Sequence, residues 1–256
     1  WYEVTGVQTC ALPISSAPVG QVVAGAGAGG AAGIAAGGTV QVATSGTLTV
    51  SAPILAEGAA VTLQANDFAL APGASVRSGA VPGSVVTLAD IGGTFTLGGA
   101  ASVLSAAEIA LLDAQGGTIR LQGPNLGIEG PVAIAAAAAS RLELVATGFG
   151  TIAQAPGGTV AAAQLFAQGG SILLDGPGNS LPVVQAAALG QVRIATGGTL
   201  EVRGVTSAFG GAVALQGTAV TLPGTNLAGA AQQAVQGGTV QITATAGDVT
   251  GGPGLA

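Results

Sequence analysis

The 256-residue chain has no histidine, methionine or lysine, and its only Trp, Tyr and Cys are Trp1, Tyr2 and Cys10. Without His, and with one thiol, neither the common zinc ligand sets nor the usual nucleophile–base pairs can be assembled. No cofactor, metal or catalytic site is expected. Charged residues supply 6% of the chain and aromatics 3%. The five cations (Arg77, Arg120, Arg141, Arg193 and Arg203) are too dispersed for the basic patch that phosphate backbones require, and the net charge is −6. Nucleic acid is therefore not an expected partner. Long apolar runs are also missing. The longest, Ala133 to Ala139, is short and made of small residues, well below the roughly 18 residues of a membrane helix. A transmembrane barrel would need interfacial Trp and Tyr girdles. A chain that does not span a membrane is expected, its positive mean hydropathy coming from Ala and Val diluted by Gly and Thr.

Glycine, with 46 copies, is abundant and periodic. Gly-Gly-Thr followed by an apolar–variable–apolar triplet occurs as GGTVQV at Gly37, GGTIRL at Gly116, GGTLEV at Gly197 and GGTVQI at Gly237, with a weaker GGTVAA at Gly157. These starts are 79, 41, 40 and 40 residues apart, and GSVVTL at Gly83 lies near the copy missing from the first gap. A second series (GGTFTL at Gly92, GPVAIA at Gly130, GGSILL at Gly169, GGAVAL at Gly210) is spaced by 38, 39 and 41 residues. Periods of this length mark repeat architectures.

Each copy reads as a strand. The glycine pair breaks the preceding element and permits positive φ, after which side chains alternate between two faces. Val40/Val42, Phe95/Leu97, Ile119/Leu121, Leu200/Val202 and Val240/Ile242 are interchangeable hydrocarbons suited to a core. The residues between them, Gln41, Thr96, Arg120, Glu201 and Gln241, are polar types of any charge, suited to solvent. Such regular apolar spacing argues against disorder. Further strands are expected at Val61, Arg141, Gln191 and Thr218, while Ala100 to Leu112 and Ala228 to Gln236 read either as short helices on loops or as irregular coil.

Three or four strands per forty residues suit two coils of a solenoid. The expected fold is an all-β, right-handed parallel β-helix of about 20 residues per coil and roughly a dozen coils, about 55 Å long at the usual strand spacing. A β-propeller would carry aromatic motifs in each blade. A β-sandwich would show Asn-Gly or Asp-Gly hairpin turns, of which Asp175-Gly176 is the lone example.

Val4 to Ile14, VTGVQTCALPI, resembles the translation of a sequencing adapter. Residues 1–15 are accordingly set aside as a non-native leader, 16–36 read as a Gly/Ala-rich low-complexity segment, and 37–256 as the repetitive β-helix. A truncated gene product is expected on the same grounds. Cys10 is then no candidate nucleophile, and the cysteine-free remainder suits an exported chain.

On GGTIRL, GGTLEV, GGTVQITATAGDVTGG and GGSILLDGPGNSLP, the chain resembles filamentous haemagglutinin-like exoproteins and autotransporter passenger domains over roughly Gly37 to Gly252. The resemblance implies a shaft on the bacterial cell surface that acts in attachment or biofilm formation. It also implies an outer-membrane secretion partner and an unknown surface or matrix ligand. An Asn-Pro-Asn-Gly-type secretion signature is absent from the sequence.

Three surface features are candidates for more. Glu143, Glu201 and Arg203 could share a face, as a polysaccharide-degrading β-helix enzyme would require, although solvated outward strand positions are the favoured reading of them. DGPGN at Asp175 could cradle an anion or simply turn the chain. Thr118, Thr159, Thr199 and Thr239, with Thr39 and Thr94, are expected to stack on alternate coils, and the Thr47/Thr49 and Thr243/Thr245 pairs add to them. Such an array could bind ice, while ordinary β-propensity accounts for the same residues.

Overall fold

A computed structural model of the chain describes residues 33–252, except Ala59 and Gln232, together with the short strands Tyr2–Glu3 and Val22–Ala24. Val4 to Ile14, Cys10 included, lie outside the described residues. The chain is 54% strand and 2% helix, wound as a parallel β-solenoid of about nine turns with roughly 23 residues per turn. The expected architecture is present, with fewer and longer coils than a dozen of twenty. At about 4.8 Å per coil the rod is on the order of 40 Å long.

The first face is the longest ladder. Val40–Ala43, Ala60–Ala65, Val85–Asp90, Thr118–Gly123, Arg141–Ala146, Leu165–Gly169, Val183–Ala188 and Leu200–Ser207 pair in succession, followed by Val220–Leu222 and Val249–Gly251. A second face carries Thr47–Val50 paired with Asp67–Leu70 and, as a separate sheet, Thr94–Gly98, Asn125–Ile128, Thr151–Gln154, Ser171–Leu174, Val192–Ala195, Ala212–Gly217 and Thr239–Ala244. A shorter third face holds Ile34–Ala36, Ile54–Ala56, Val76–Arg77 and Leu112–Asp113, and separately Pro131–Ala133 with Thr159–Ala161.

Period-two alternation builds the core. Val40, Val61, Val86, Ile119, Leu142, Leu165, Val184 and Val202 form one register-matched inward column on the first face. All eight are buried, and each contributes roughly 1.5–3 kcal/mol of apolar burial. The inward and outward assignments read from the repeat hold for Val40/Val42, Phe95/Leu97, Ile119/Leu121 and Leu200/Val202. Val240 is in register with buried Val213, yet it remains 44% exposed because no described coil covers it.

Coil length is not constant. On the first face Val85 is in register with Thr118 and Val183 with Glu201, so a coil takes from 18 residues (183 to 201) to 33 (85 to 118). The longest coil contains an excursion that leaves the second face after Gly98. It returns as the strand Leu104–Ser105 beside Thr94–Gly98 and turns through the one-turn helix Ala106–Ile109. This helix falls within the first of the two patches left open between helix and coil, and its capping box (Ser105 and Glu108) explains where it starts. The second patch, Ala228 to Gln236, forms no helix. Asn226 Oδ1 there accepts the Ala228 and Ala230 amides, and Val235–Gln236 is drawn into the first face against Val205 and Thr206.

Glu108 also staples the excursion to the preceding coil. Its Oε2 accepts the Ser105 amide at 2.8 Å while Oε1 accepts the Leu70 amide at 2.8 Å. Glu108→Ala removes both acceptors and should lower stability by about 2 kcal/mol. Urea unfolding followed by circular dichroism checks this. An unchanged midpoint would show that water serves Leu70 equally well.

Candidate functional site

The charged residues are spent on the scaffold. All five arginines are in ion pairs: Arg77–Asp113 at 3.3 Å, Arg193–Asp175 at 2.7 Å, Arg203 with Glu201, and both Arg120 and Arg141 with Glu143. In that last cluster Arg120 Nη2 lies 2.6 Å from Glu143 Oε2 and Arg141 Nη2 lies 3.0 Å from Oε1. Phe166 stands beside Glu143 in register and shields it. Several acids serve as backbone acceptors or hydroxyl partners. Asp90 takes the Gly92 and Gly93 amides, and Glu129 accepts from Ser102 Oγ.

Glu143, Glu201 and Arg203 do share the first face, but they do not converge. Arg141–Ala146 and Leu200–Ser207 are separated by two intervening strands, which places the carboxylates roughly 14 Å apart by strand spacing. Paired glycosidase carboxyls lie within about 9.5 Å. Each acid is also neutralised by its own arginine.

The threonine column does not form. Thr118 begins a first-face strand and is buried, Thr199 precedes another, Thr159 is on the third face, and Thr94 and Thr239 are on the second. Their register partners are Val85 and Arg141 for Thr118, Pro131 for Thr159, Asn125 for Thr94 and Ala212 for Thr239. Thr47 and Thr49 sit opposite Asp67 and Ala69. The cause is the unequal coil length, which turns a constant forty-residue period into a drift across three faces. Among the paired strands, threonine meets threonine at Thr62/Thr87 and Thr221/Thr250.

DGPGN is a turn whose Asp175 stays exposed beside Arg193 while its Gly176 amide and Asn179 side chain are bound within the rod. The Gly176 amide donates to Gln154 Oε1 at 3.0 Å. Asn179, 2% exposed, accepts the Val160 amide at 2.8 Å and Gln154 Nε2 at 2.9 Å through Oδ1. Its Nδ2 donates to the carbonyls of Leu174 and Ala195 at 3.0 and 3.1 Å. These groups join three consecutive coils and leave no ready anion cradle.

A concave surface lies elsewhere, at the corner between the first and second faces. Its floor is a single outward register column, Val145–Gln168–Ala187–Thr206, crossing four coils. Chain is economical over the two middle coils, where Gly169-Gly170 and Leu189-Gly190 make the corner, and longer at the two ends. One end is the turn 147–150, with Gly148 at φ 63° and the Gly150 amide donating to Thr147 O at 3.1 Å. The other is the turn 207–210, with Gly210 at φ 69° and the Phe209 amide donating to Leu189 O at 3.0 Å. The raised ends enclose a slot of about 450 Å³, within the usual size range for small-molecule sites. Next to the slot-lining Gly148 and Ala208 are Phe149 and Phe209, 82% and 78% exposed.

That pair is a surface feature that the repeat pattern does not announce. The chain has five phenylalanines, and Phe68 and Phe95 pack together in the core with ring centroids 5.7 Å apart. Phe149 and Phe209 are the two followed directly by glycine, in TGFG and SAFG, outside any apolar alternation. No group of three or more metal-ligating side chains occurs among the described residues, and no described helix is long and apolar enough to cross a membrane. Comparison of the chain with protein-family models, curated proteins and solved structures finds no match in any of the three.

Proposed function

We propose that the chain serves as a shaft segment of a secreted bacterial surface protein that acts in attachment or biofilm formation. The observation that carries this reading is the inward column running from Val40 to Val202 through eight coils. It supports a stiff rod whose length comes from repetition and whose five arginines are all paired within its own surface. Rods of this kind hold a contact away from the surface that anchors them. The resemblance of GGTIRL, GGTLEV and GGSILLDGPGNSLP to haemagglutinin-like and autotransporter repeats supports the same reading and an extracellular setting.

The test is to display the full chain, fused to an outer-membrane anchor, on a non-adherent bacterium. Retained cells are then counted on bare and matrix-coated surfaces. Cells carrying the chain should be retained in greater numbers than cells carrying the anchor alone. Equal retention on every surface would overturn the reading.

A further inference from the structure

We propose that the slot over Val145, Gln168, Ala187 and Thr206, together with the exposed rings of Phe149 and Phe209 in the turns at its two ends, binds a neutral saccharide chain. As the ligand contact of an attachment rod, this inference deepens the function proposed above and rests on it for its biological setting.

Three properties of the slot choose the ligand class. First, the lining carries no formal charge. Gln168, Thr147 and Thr206 are its polar side chains, and Val145, Ala187 and Leu189 are among its apolar ones. In a chain of net charge −6, an uncharged surface suits a ligand without charge. A charged ligand would find no counter-ion there, since each arginine is already paired. Second, the mixture of isolated amide and hydroxyl groups with small apolar patches matches a pyranose ring, which has one apolar C–H face and a rim of hydroxyls. Exposed phenyl rings are suited to pack against such faces. An apolar peptide helix would want a continuous greasy floor, and here the floor is interrupted by Gln168 and Thr206. Third, the slot is too small for a second copy of the chain. A stable protein interface takes about 800 Å² from each partner, whereas this concavity is built mostly from glycine, alanine and threonine on four coils.

The site is also pre-organised. Both phenylalanine turns are tied to their neighbours by backbone hydrogen bonds: Thr147 N to Gly123 O at 2.8 Å, Ala208 N to Ala188 O at 2.9 Å and Phe209 N to Leu189 O at 3.0 Å. The ends of the slot stand three ladder steps apart, roughly 14 Å. A saccharide of several units can therefore reach both. Two of five phenylalanines held in water beside one groove form an exposed apolar feature that a soluble rod does not need for folding.

The test uses the purified full chain against immobilised neutral oligosaccharides: cello-, xylo-, manno- and malto-oligosaccharides. Heparin and polygalacturonate serve as charged controls, with an array of apolar peptides alongside. At least one neutral oligosaccharide should bind, and replacing both rings (Phe149→Ser with Phe209→Ser) should weaken it on the order of tenfold or more. The double variant should keep its thermal midpoint, since neither ring is part of the core. No neutral oligosaccharide binding, binding that survives loss of both rings, or ring-dependent binding to the charged glycans or peptides alone would each overturn the proposal. Displayed cells separate this from the function above. Attachment that persists in the double variant sinks the slot and leaves the shaft, whereas ring-dependent glycan binding without attachment does the reverse.

Discussion

Asn179→Leu should destabilise the middle of the rod by about 4 kcal/mol or more, since each buried polar group left unsatisfied costs about 1–3 kcal/mol. The substitution is close in volume, so packing alone would not produce that loss. It leaves the Val160 amide without its 2.8 Å acceptor and the Leu174 and Ala195 carbonyls without their donor. Gln154, which exchanges two hydrogen bonds with the same amide, loses both and keeps only the Gly176 amide and the Gly158 carbonyl. A solenoid can open in sections, so the readout is native-state hydrogen exchange resolved along the chain. Protection should fall first for amides between residues 152 and 196, with strands near Val61 and Val86 less affected. Asn179→Leu with wild-type exchange in that window would mean that the amide network contributes nothing net.

Gly150→Ala is the second large effect, at about 3 kcal/mol, the upper end of ordinary overpacking. A Cβ at residue 150 would sit 1.6 Å from the carbonyl oxygen of Pro124 on the preceding coil, so the two coils must part. Gly198→Ala is the matched control, because a Cβ there meets nothing within 4 Å. It should be neutral or slightly stabilising through loss of unfolded-state freedom, by up to about 1 kcal/mol. Urea midpoints of the two variants measured side by side decide the matter. Equal midpoints would show that coil contact at Pro124 is loose.

The same contrast explains the Gly-Gly pairs. In 116–117 and 157–158 the first glycine takes positive φ with open space around it. The second leaves no room for a side chain: a Cβ at residue 117 would lie 2.2 Å from Ser84 O, and one at residue 158 would lie 2.2 Å from Ile128 O, both on the preceding coil. Sequence periodicity suggested a strand-breaking role for both. Close approach is visible only when the preceding coil is in place.

This separates what the sequence makes legible from what it does not. Alternation has a period of two within one strand, so the burial of Ile119 and Leu121 and the exposure of Gln41 follow from local pattern. Ser105 and Glu108 announce their helix for the same reason. The face on which a strand lies depends on the accumulated length of every preceding coil. The GGT copies at Gly116, Gly157 and Gly237 consequently open strands on the first, third and second faces in turn, and the threonines that follow them never meet. The slot is harder still to read, because its floor is a register column contributed by four separate strands. Only the two Phe-Gly turns mark it in the primary sequence.

The unequal coils have a consequence for assembly. In a solenoid of identical repeats, a strand could pair one coil too early or too late and still bury an equivalent set of side chains. Here a slip by one coil would set the 18-residue turn starting at Val183 against a path sized for another length. It would also strand the Ser105–Glu108 staple away from Leu70. Irregularity thus labels each coil with its own address, and a chain composed largely of Gly, Ala, Val and Thr acquires one register rather than many.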